Sequence, residues 1–135
     1  MSYRLTHIHG IGPVHQLLRD RHNIRNTEHL IHVTSDPVER RHIARTTGLP
    51  EREIKRWRNF AQLLHIPGVG PGYARLLTEA GIEDLGKLSR ADARKLCRRL
   101  GEMAEDVGLD RAPSETTVER WIGDARTLIS GTAAA

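Results

Sequence analysis

The sequence predicts an all-α protein built from two tandem helical repeats that pack as one compact helical unit. Three observations predict this fold. No segment of the 135 residues shows the sustained alternation of β-branched and polar residues that marks a half-buried strand. Apolar residues instead recur at spacings of three and four between typical helix starts and stops. The chain also matches itself over most of its length, as an internal duplication would.

The first part of one repeat matches the first part of the other at a constant spacing of 58 residues. The residues that recur unchanged at this spacing are His7, Ile8, Gly10, Gly12, Pro13, Leu18, Ile24 and Leu30. The spacing grows to 60 at Gly48 and to 64 at Trp57, which indicates short insertions in the second copy. We therefore expect a first repeat over residues 1–64, a second over 65–129 and a flexible tail over 130–135.

The first copy contains two clear helix boundaries. Asp36 followed by Pro37 predicts a helix start, because Asp accepts hydrogen bonds from free amides and proline fits the first turn. Gly48 is expected to end this helix, and Pro50 to open the next. That next helix carries an apolar stripe formed by Ile54, Trp57, Ala61 and Leu64.

The second copy repeats the plan. Pro71 is expected to open a helix that ends at Gly81. Ser89, with Asp92 three residues later, predicts the cap of the next helix, which Gly108 ends. The inward face of that helix comprises Leu96, Leu100, Met103 and Val107.

Ser114 is expected to begin the last helix. Its apolar stripe comprises Val118, Trp121, Ala125 and Leu128. Trp57 and Trp121 occupy equivalent places in the two repeats, so we expect both in the core.

Each repeat also begins with the same pattern of glycines, "HIHGIGP" at residues 7–13 and "HIPGVGP" at 65–71. Glycine takes positive φ and lets a second backbone approach closely. The apolar residue between the glycines is expected to anchor the loop, and the proline to start a helix. The free amides of the loop and of the first helical turn then lie at the positive end of the helix, which suits an anion.

The stretch "LLHIPGVGPGYARLLTEAGI" resembles the helix-hairpin-helix motif, and "GIEDLGKLSRADARKL" resembles the helical continuation found in many such domains. The whole chain is similar to an uncharacterised bacterial helix-hairpin-helix family, a domain of unknown function with a SAM-like fold. The resemblance implies non-catalytic, sequence-nonspecific binding of duplex DNA, with hairpin amides on phosphate oxygens and often a monovalent cation on the loop carbonyls. It implies no other cofactor. The positions that carry over are Gly10, Ile11, Gly12, Gly68, Val69 and Gly70.

The residues after each hairpin depart from the family pattern, which commonly places Lys or Arg one or two positions after Gly-Pro. This chain has Val14 and His15 in the first copy, and Gly72 and Tyr73 in the second. The nearest fixed cations come one turn later. The candidate site is therefore extended to His15, Arg19, Gly72, Tyr73 and Arg75. The departure keeps a second interpretation open, in which the hairpins are only structural and the protein is a protein-interaction adaptor.

Charge is distributed unevenly. Residues 1–64 carry 11 Lys and Arg against 6 Asp and Glu, whereas residues 65–135 carry 10 against 11. This asymmetry favours a basic surface that faces a polyanion, although a solvated arginine-rich surface explains it equally well. The same two interpretations apply to the basic stretch formed by Arg40, Arg41, Arg45, Arg52, Lys55, Arg56 and Arg58.

Several function classes find no support. Cys97 is the one cysteine, which excludes an internal disulfide and a Cys-x-x-Cys zinc site. No set of His and acidic residues has metal-ligand spacing, and no catalytic constellation is present. No apolar run approaches the ~20 residues of a membrane span. The first residues lack a signal-peptide core, so we expect a cytoplasmic protein whose oligomeric state the sequence leaves open.

Overall fold

The computed structural model describes residues 3–134, with side chains described as far as residue 131. Within this range the secondary structure is helical, apart from one isolated antiparallel bridge between Arg4 and Asn26. The α-helices are α1 (Val14–His22), α2 (Thr27–Thr34), α3 (Pro37–Thr47), α4 (Glu51–Leu64), α5 (Gly70–Glu79), α6 (Leu85–Ser89), α7 (Ala93–Met103) and α8 (Glu115–Ala134). Short 3-10 turns lie at Leu5–His7 and Glu105–Val107. The chain divides into two compact units, of which the first ends at His65 and the second begins at Ile66.

Local capping sets the helix boundaries of the first unit. The Asp36 carboxylate accepts a hydrogen bond from the Val38 amide at 2.9 Å, with Pro37 in the first turn of α3. Gly48 ends α3 in the left-handed conformation, at a φ of 75°. Both boundaries are as predicted. Asn26 starts α2 in the same way, since its side-chain oxygen accepts from an amide of the first turn.

Helix α4 forms the centre of the first unit and packs against α2 and α3. The whole predicted stripe of α4, from Ile54 to Leu64, is buried, and Trp57 is 3% exposed. Other fully buried side chains of the first unit are Ile8, Leu18, Ile24, Leu30 and Ile43. The predicted core role of Trp57 is therefore confirmed.

The cap of α7 differs from the prediction. The Asp92 carboxylate accepts from the Lys95 amide at 3.0 Å and starts the helix, whereas Ser89 is the last residue of α6. The sequence interpretation missed α6, a five-residue helix that Asp84 caps. Helix α7 also ends earlier than predicted, at Met103, and Gly108 ends the 3-10 turn that follows.

Helix α8 packs against α6 and α7. Its start is as predicted, because the Ser114 hydroxyl accepts from the Thr117 amide at 3.2 Å. Trp121 is fully buried, as expected, but Leu128 is 40% exposed although the stripe predicts it inside. Ile122 takes a core position instead and is 4% exposed.

The helix α8 continues to Ala134, through most of the segment expected to be a tail, and residue 135 of that segment lies outside the described residues. Among the helices that the structure describes, none combines the length and apolar character needed to cross a membrane.

Candidate nucleic-acid interface

The glycines of the two glycine-rich loops have similar φ angles. We call residues 8–13 the first corner and residues 66–71 the second corner. The φ angles of the two glycines in each corner are 84° and 55° at Gly10 and Gly12, and 85° and 62° at Gly68 and Gly70. All four angles lie in the left-handed region that favours glycine. The repeated sequence pattern therefore encodes a repeated local structure.

The apolar residue between the glycines anchors each corner. Ile11 is 4% exposed and Val69 is 2% exposed. Their amides also close the turn, since Ile11 N–H donates to the Ile8 carbonyl at 3.2 Å and Val69 N–H donates to the Ile66 carbonyl at 3.0 Å. These two predicted site residues hold the loop, and their amides are already used.

The glycine amides are different. In the described part of the chain, no acceptor pairs with the amides of Gly10, Gly12, Gly68 and Gly70. Three of these glycines are exposed, and Gly70 is partly exposed. Each corner leads directly into a helix N-terminus, where unpaired amides and the helix dipole favour a negative group.

Beside the first corner, the His15 ring Nδ1 lies 2.7 Å from the Gly12 carbonyl oxygen and donates to it. This contact occupies a carbonyl that the family resemblance offers to a monovalent cation. The Arg56 guanidinium lies beside Gly10, with Nη2 3.8 Å from the position of a Cβ on that glycine. Arg56 also pairs with Glu53 at 2.5 Å, so its charge is partly balanced.

A cleft of about 400 Å³ opens next to His15 in the first unit. We call it the basic cleft, and its lining residues are Arg4, Leu5, Thr6, His15, Arg19 and Arg25. Its lining includes no carboxylate, and its three arginines lie farther than 4 Å from every carboxylate that the structure describes. The sequence interpretation identified His15 and Arg19. It missed Arg4 and Arg25, which come from outside helix α1.

The second corner has other surroundings. A Cβ on Gly72 would lie 2.9 Å from a methyl carbon of Leu109, so this glycine permits close packing. The Tyr73 hydroxyl donates to the Arg111 carbonyl at 3.1 Å, and the Tyr73 ring lies 5.3 Å from the Trp121 ring. Two predicted site residues thus take part in packing within the second unit.

Arg75, the predicted cation of the second corner, is half-buried, and its Nε finds no partner among the described residues. Arg19, the predicted cation of the first corner, is exposed. The positive charge next to a corner is therefore more accessible in the first unit than in the second.

The basic stretch of α3 and α4 is divided. Its exposed members are Arg41, Arg45, Arg52, Lys55 and Arg56. Arg40 pairs with Glu51 at 3.4 Å. Burial and the neighbouring charge of Arg40 lower the pKa of Arg58, which is half-buried.

Two histidines have a lowered pKa. Burial lowers the pKa of His22, and the neighbouring His42, whose ring lies edge-on at 5.3 Å, lowers it further. Burial also lowers the pKa of His65, whose Nε2 lies 3.0 Å from the Thr27 hydroxyl. Both rings therefore favour the neutral form and add no charge to a phosphate site. Within the described residues, no group of three or more potential ligands could hold a metal ion.

A family model described as a domain of unknown function, DUF4332, matches residues 9–128. No curated protein and no solved structure matches the chain. The matched residues include both pairs of corner glycines.

Proposed function

The chain belongs to the DUF4332 family, and we propose that it is a non-catalytic protein that binds duplex DNA without sequence preference through two tandem helix-hairpin-helix repeats. One observation carries this proposal. The same corner occurs in both units, with exposed glycines whose amides have no partner in the described part of the chain. We propose the cytoplasm as its location.

The corners suit phosphate oxygens rather than bases. An amide at a helix N-terminus donates to any phosphate, whatever base follows it, so such contacts position a protein without reading sequence. The glycines matter because a side chain would restrict the approach of the sugar-phosphate backbone. Arg19 supports the first corner, because it is exposed on the helix that this corner opens.

A second candidate function follows from the second corner. Gly72 and Tyr73 are used in packing there, and Arg75 is half-buried. A corner surrounded in this way also fits a structural role within a protein-interaction adaptor. In that case the protein has no affinity for DNA.

Fluorescence anisotropy with a labelled duplex of about 20 base pairs tests the proposal. One phosphate neutralised at each corner predicts that affinity falls about tenfold between roughly 50 and 200 mM salt. Arg19→Glu should weaken binding further. The matched control is Arg120→Glu, which makes the same charge change at an exposed arginine of α8.

Two results would refute the proposal. Absence of binding at about 50 mM salt leaves the adaptor as the function. An equal loss of affinity in Arg19→Glu and Arg120→Glu would show that net charge, rather than the first corner, holds the duplex.

A further inference from the structure

We infer that the basic cleft of the first unit is a binding site for a phosphomonoester, the dianionic group at the end of a nucleic acid strand or on a free nucleotide. This goes beyond the proposed function, which needs only internal phosphodiesters at the corners. The cleft shares His15 and Arg19 with the candidate site at the first corner, whereas Arg4 and Arg25 belong to the cleft alone. Variants at Arg4 and Arg25 therefore test the cleft separately from the corners.

The cleft is built by backbone pairing. Arg4 forms an antiparallel bridge with Asn26, and the Thr27 amide donates to the Tyr3 carbonyl at 2.9 Å. The Tyr3 amide in turn donates to the Thr27 hydroxyl at 3.2 Å. These bonds join the first residues of the described chain to the loop between α1 and α2. Arg4 and Arg25 are thereby held on the same cleft as Arg19 of α1.

The charges of the cleft are unbalanced. Three arginines line one cavity without an Asp or Glu among its lining residues. Arg25 is oriented by a bond from its Nε to the Asn23 side-chain oxygen at 3.0 Å, which is a neutral partner. Like charges held together in this way repel one another, and an anion that binds between them removes the repulsion.

A phosphomonoester fits these charges better than a diester. It carries a charge of about −1.5 to −2 at neutral pH and three acceptor oxygens, which match several arginines. A volume of about 400 Å³ lies within the usual range of small-ligand sites. The cleft therefore has room for a phosphate together with the sugar that carries it.

The test compares two labelled DNA strands of the same sequence, one with a 5′-phosphate and one with a 5′-hydroxyl. We expect the phosphorylated strand to bind at least about tenfold tighter, since it alone places a dianion in the cleft. Arg25→Gln and, as a second variant, Arg4→Gln should each remove most of this preference. Arg120→Gln is the matched control, and circular dichroism checks that each variant is folded.

Adenosine monophosphate, with adenosine as its control, distinguishes the two sources of the phosphate. If the monophosphate competes as well as the phosphorylated strand, the cleft takes a free nucleotide. If only the strand binds, the cleft takes a strand end. The inference is overturned if neither phosphate binds better than its hydroxyl counterpart, or if the preference survives in both cleft variants. A duplex with 5′-hydroxyl ends carries no phosphomonoester, so failure of the proposed function would be seen separately.

Discussion

Gly70→Ala gives a direct test of the corner conformation. Gly70 has a φ of 62°, and a Cβ built on it would meet no atom within 4 Å. A methyl group therefore fits the space, and the strain of the backbone decides the effect. Gly101 and Gly123 provide matched controls, because both lie inside helices of the same unit and also have no atom within 4 Å of a Cβ.

The magnitude follows from the backbone conformation. An L-residue in the left-handed region costs roughly 1–2 kcal/mol, so Gly70→Ala should lower the free energy of unfolding by about that amount. At the helical positions the same change should raise it by about 0.5–1 kcal/mol. The difference in unfolding free energy between Gly70→Ala and either control is thus about 1.5–3 kcal/mol.

Urea unfolding followed by circular dichroism measures these free energies. Gly70→Asn adds a second comparison, because Asn tolerates the left-handed conformation better than Ala and should lose less stability. If Gly70→Ala proves as stable as Gly101→Ala, the positive φ of the second corner is wrong. The argument for exposed amides at that corner would then fail with it.

Three further predictions concern the second unit and the histidines. Asp92→Ala should lower the free energy of unfolding by about 1 kcal/mol, because Asp92 caps α7, whereas Ser89→Ala should lower it by less than about 0.5 kcal/mol. Equal losses of stability in urea titrations of the two variants would contradict the assignment of the cap to Asp92. Thermal stability should fall between about pH 7.5 and 5.5, because the pKa values of His22 and His65 are lowered in the folded state and the unfolded chain takes up protons first. The fall should be smaller in His22→Gln, and a stability that rises as the pH is lowered would refute the sign. Tyr73→Phe should lower the free energy of unfolding by up to about 1 kcal/mol, since it removes the hydrogen bond to the Arg111 carbonyl and keeps the ring. An unchanged urea midpoint would show that this hydrogen bond contributes nothing to stability.

Much of the fold could be predicted because its boundaries are local. Asp36 and Gly48 act within one helical turn, so the residue types alone define the start and end of α3. The burial of Trp57 and Trp121 likewise follows from their place on an apolar stripe. Such features depend little on the rest of the chain.

Where the prediction was wrong, the elements next to each residue decided the outcome. Ser89 and Asp92 are both good caps, and Asp92 starts α7 because Ser89 already belongs to α6. Leu128 continues the stripe of α8, but that helix continues to Ala134, and the leucine is left 40% exposed. A periodic pattern shows which face of a helix is apolar. It does not show how far along that face the packed neighbouring elements extend.

In the candidate site, too, one part could be predicted from the local sequence and another part could not. The corner glycines could be identified from sequence because positive φ has a residue preference. The basic cleft could not, because Arg4 reaches it through pairing with Asn26, 22 residues away. No spacing rule connects these two residues. The uneven charge pointed to the first unit, since residues 1–64 carry 11 Lys and Arg against 6 Asp and Glu, whereas residues 65–135 have a slight excess of negative charge.

The surroundings of the two corners predict that the corners contribute unequally to the proposed DNA binding. The φ angles of corresponding glycines differ by 1° between Gly10 (84°) and Gly68 (85°) and by 7° between Gly12 (55°) and Gly70 (62°), so both corners can present their glycine amides in the same way. Their surroundings differ. Arg19 is exposed on the helix that follows the first corner, whereas the residues after the second corner pack on Leu109 and on the Arg111 carbonyl. If DNA binding depends on both corners equally, charge reversal at Arg75 should weaken it as much as charge reversal at Arg19. Because Arg19 is exposed and Arg75 is half-buried, we expect Arg19→Glu to lower the affinity for DNA more than Arg75→Glu does. A larger loss in Arg75→Glu would show that the burial of Arg75 does not limit its contact with phosphate.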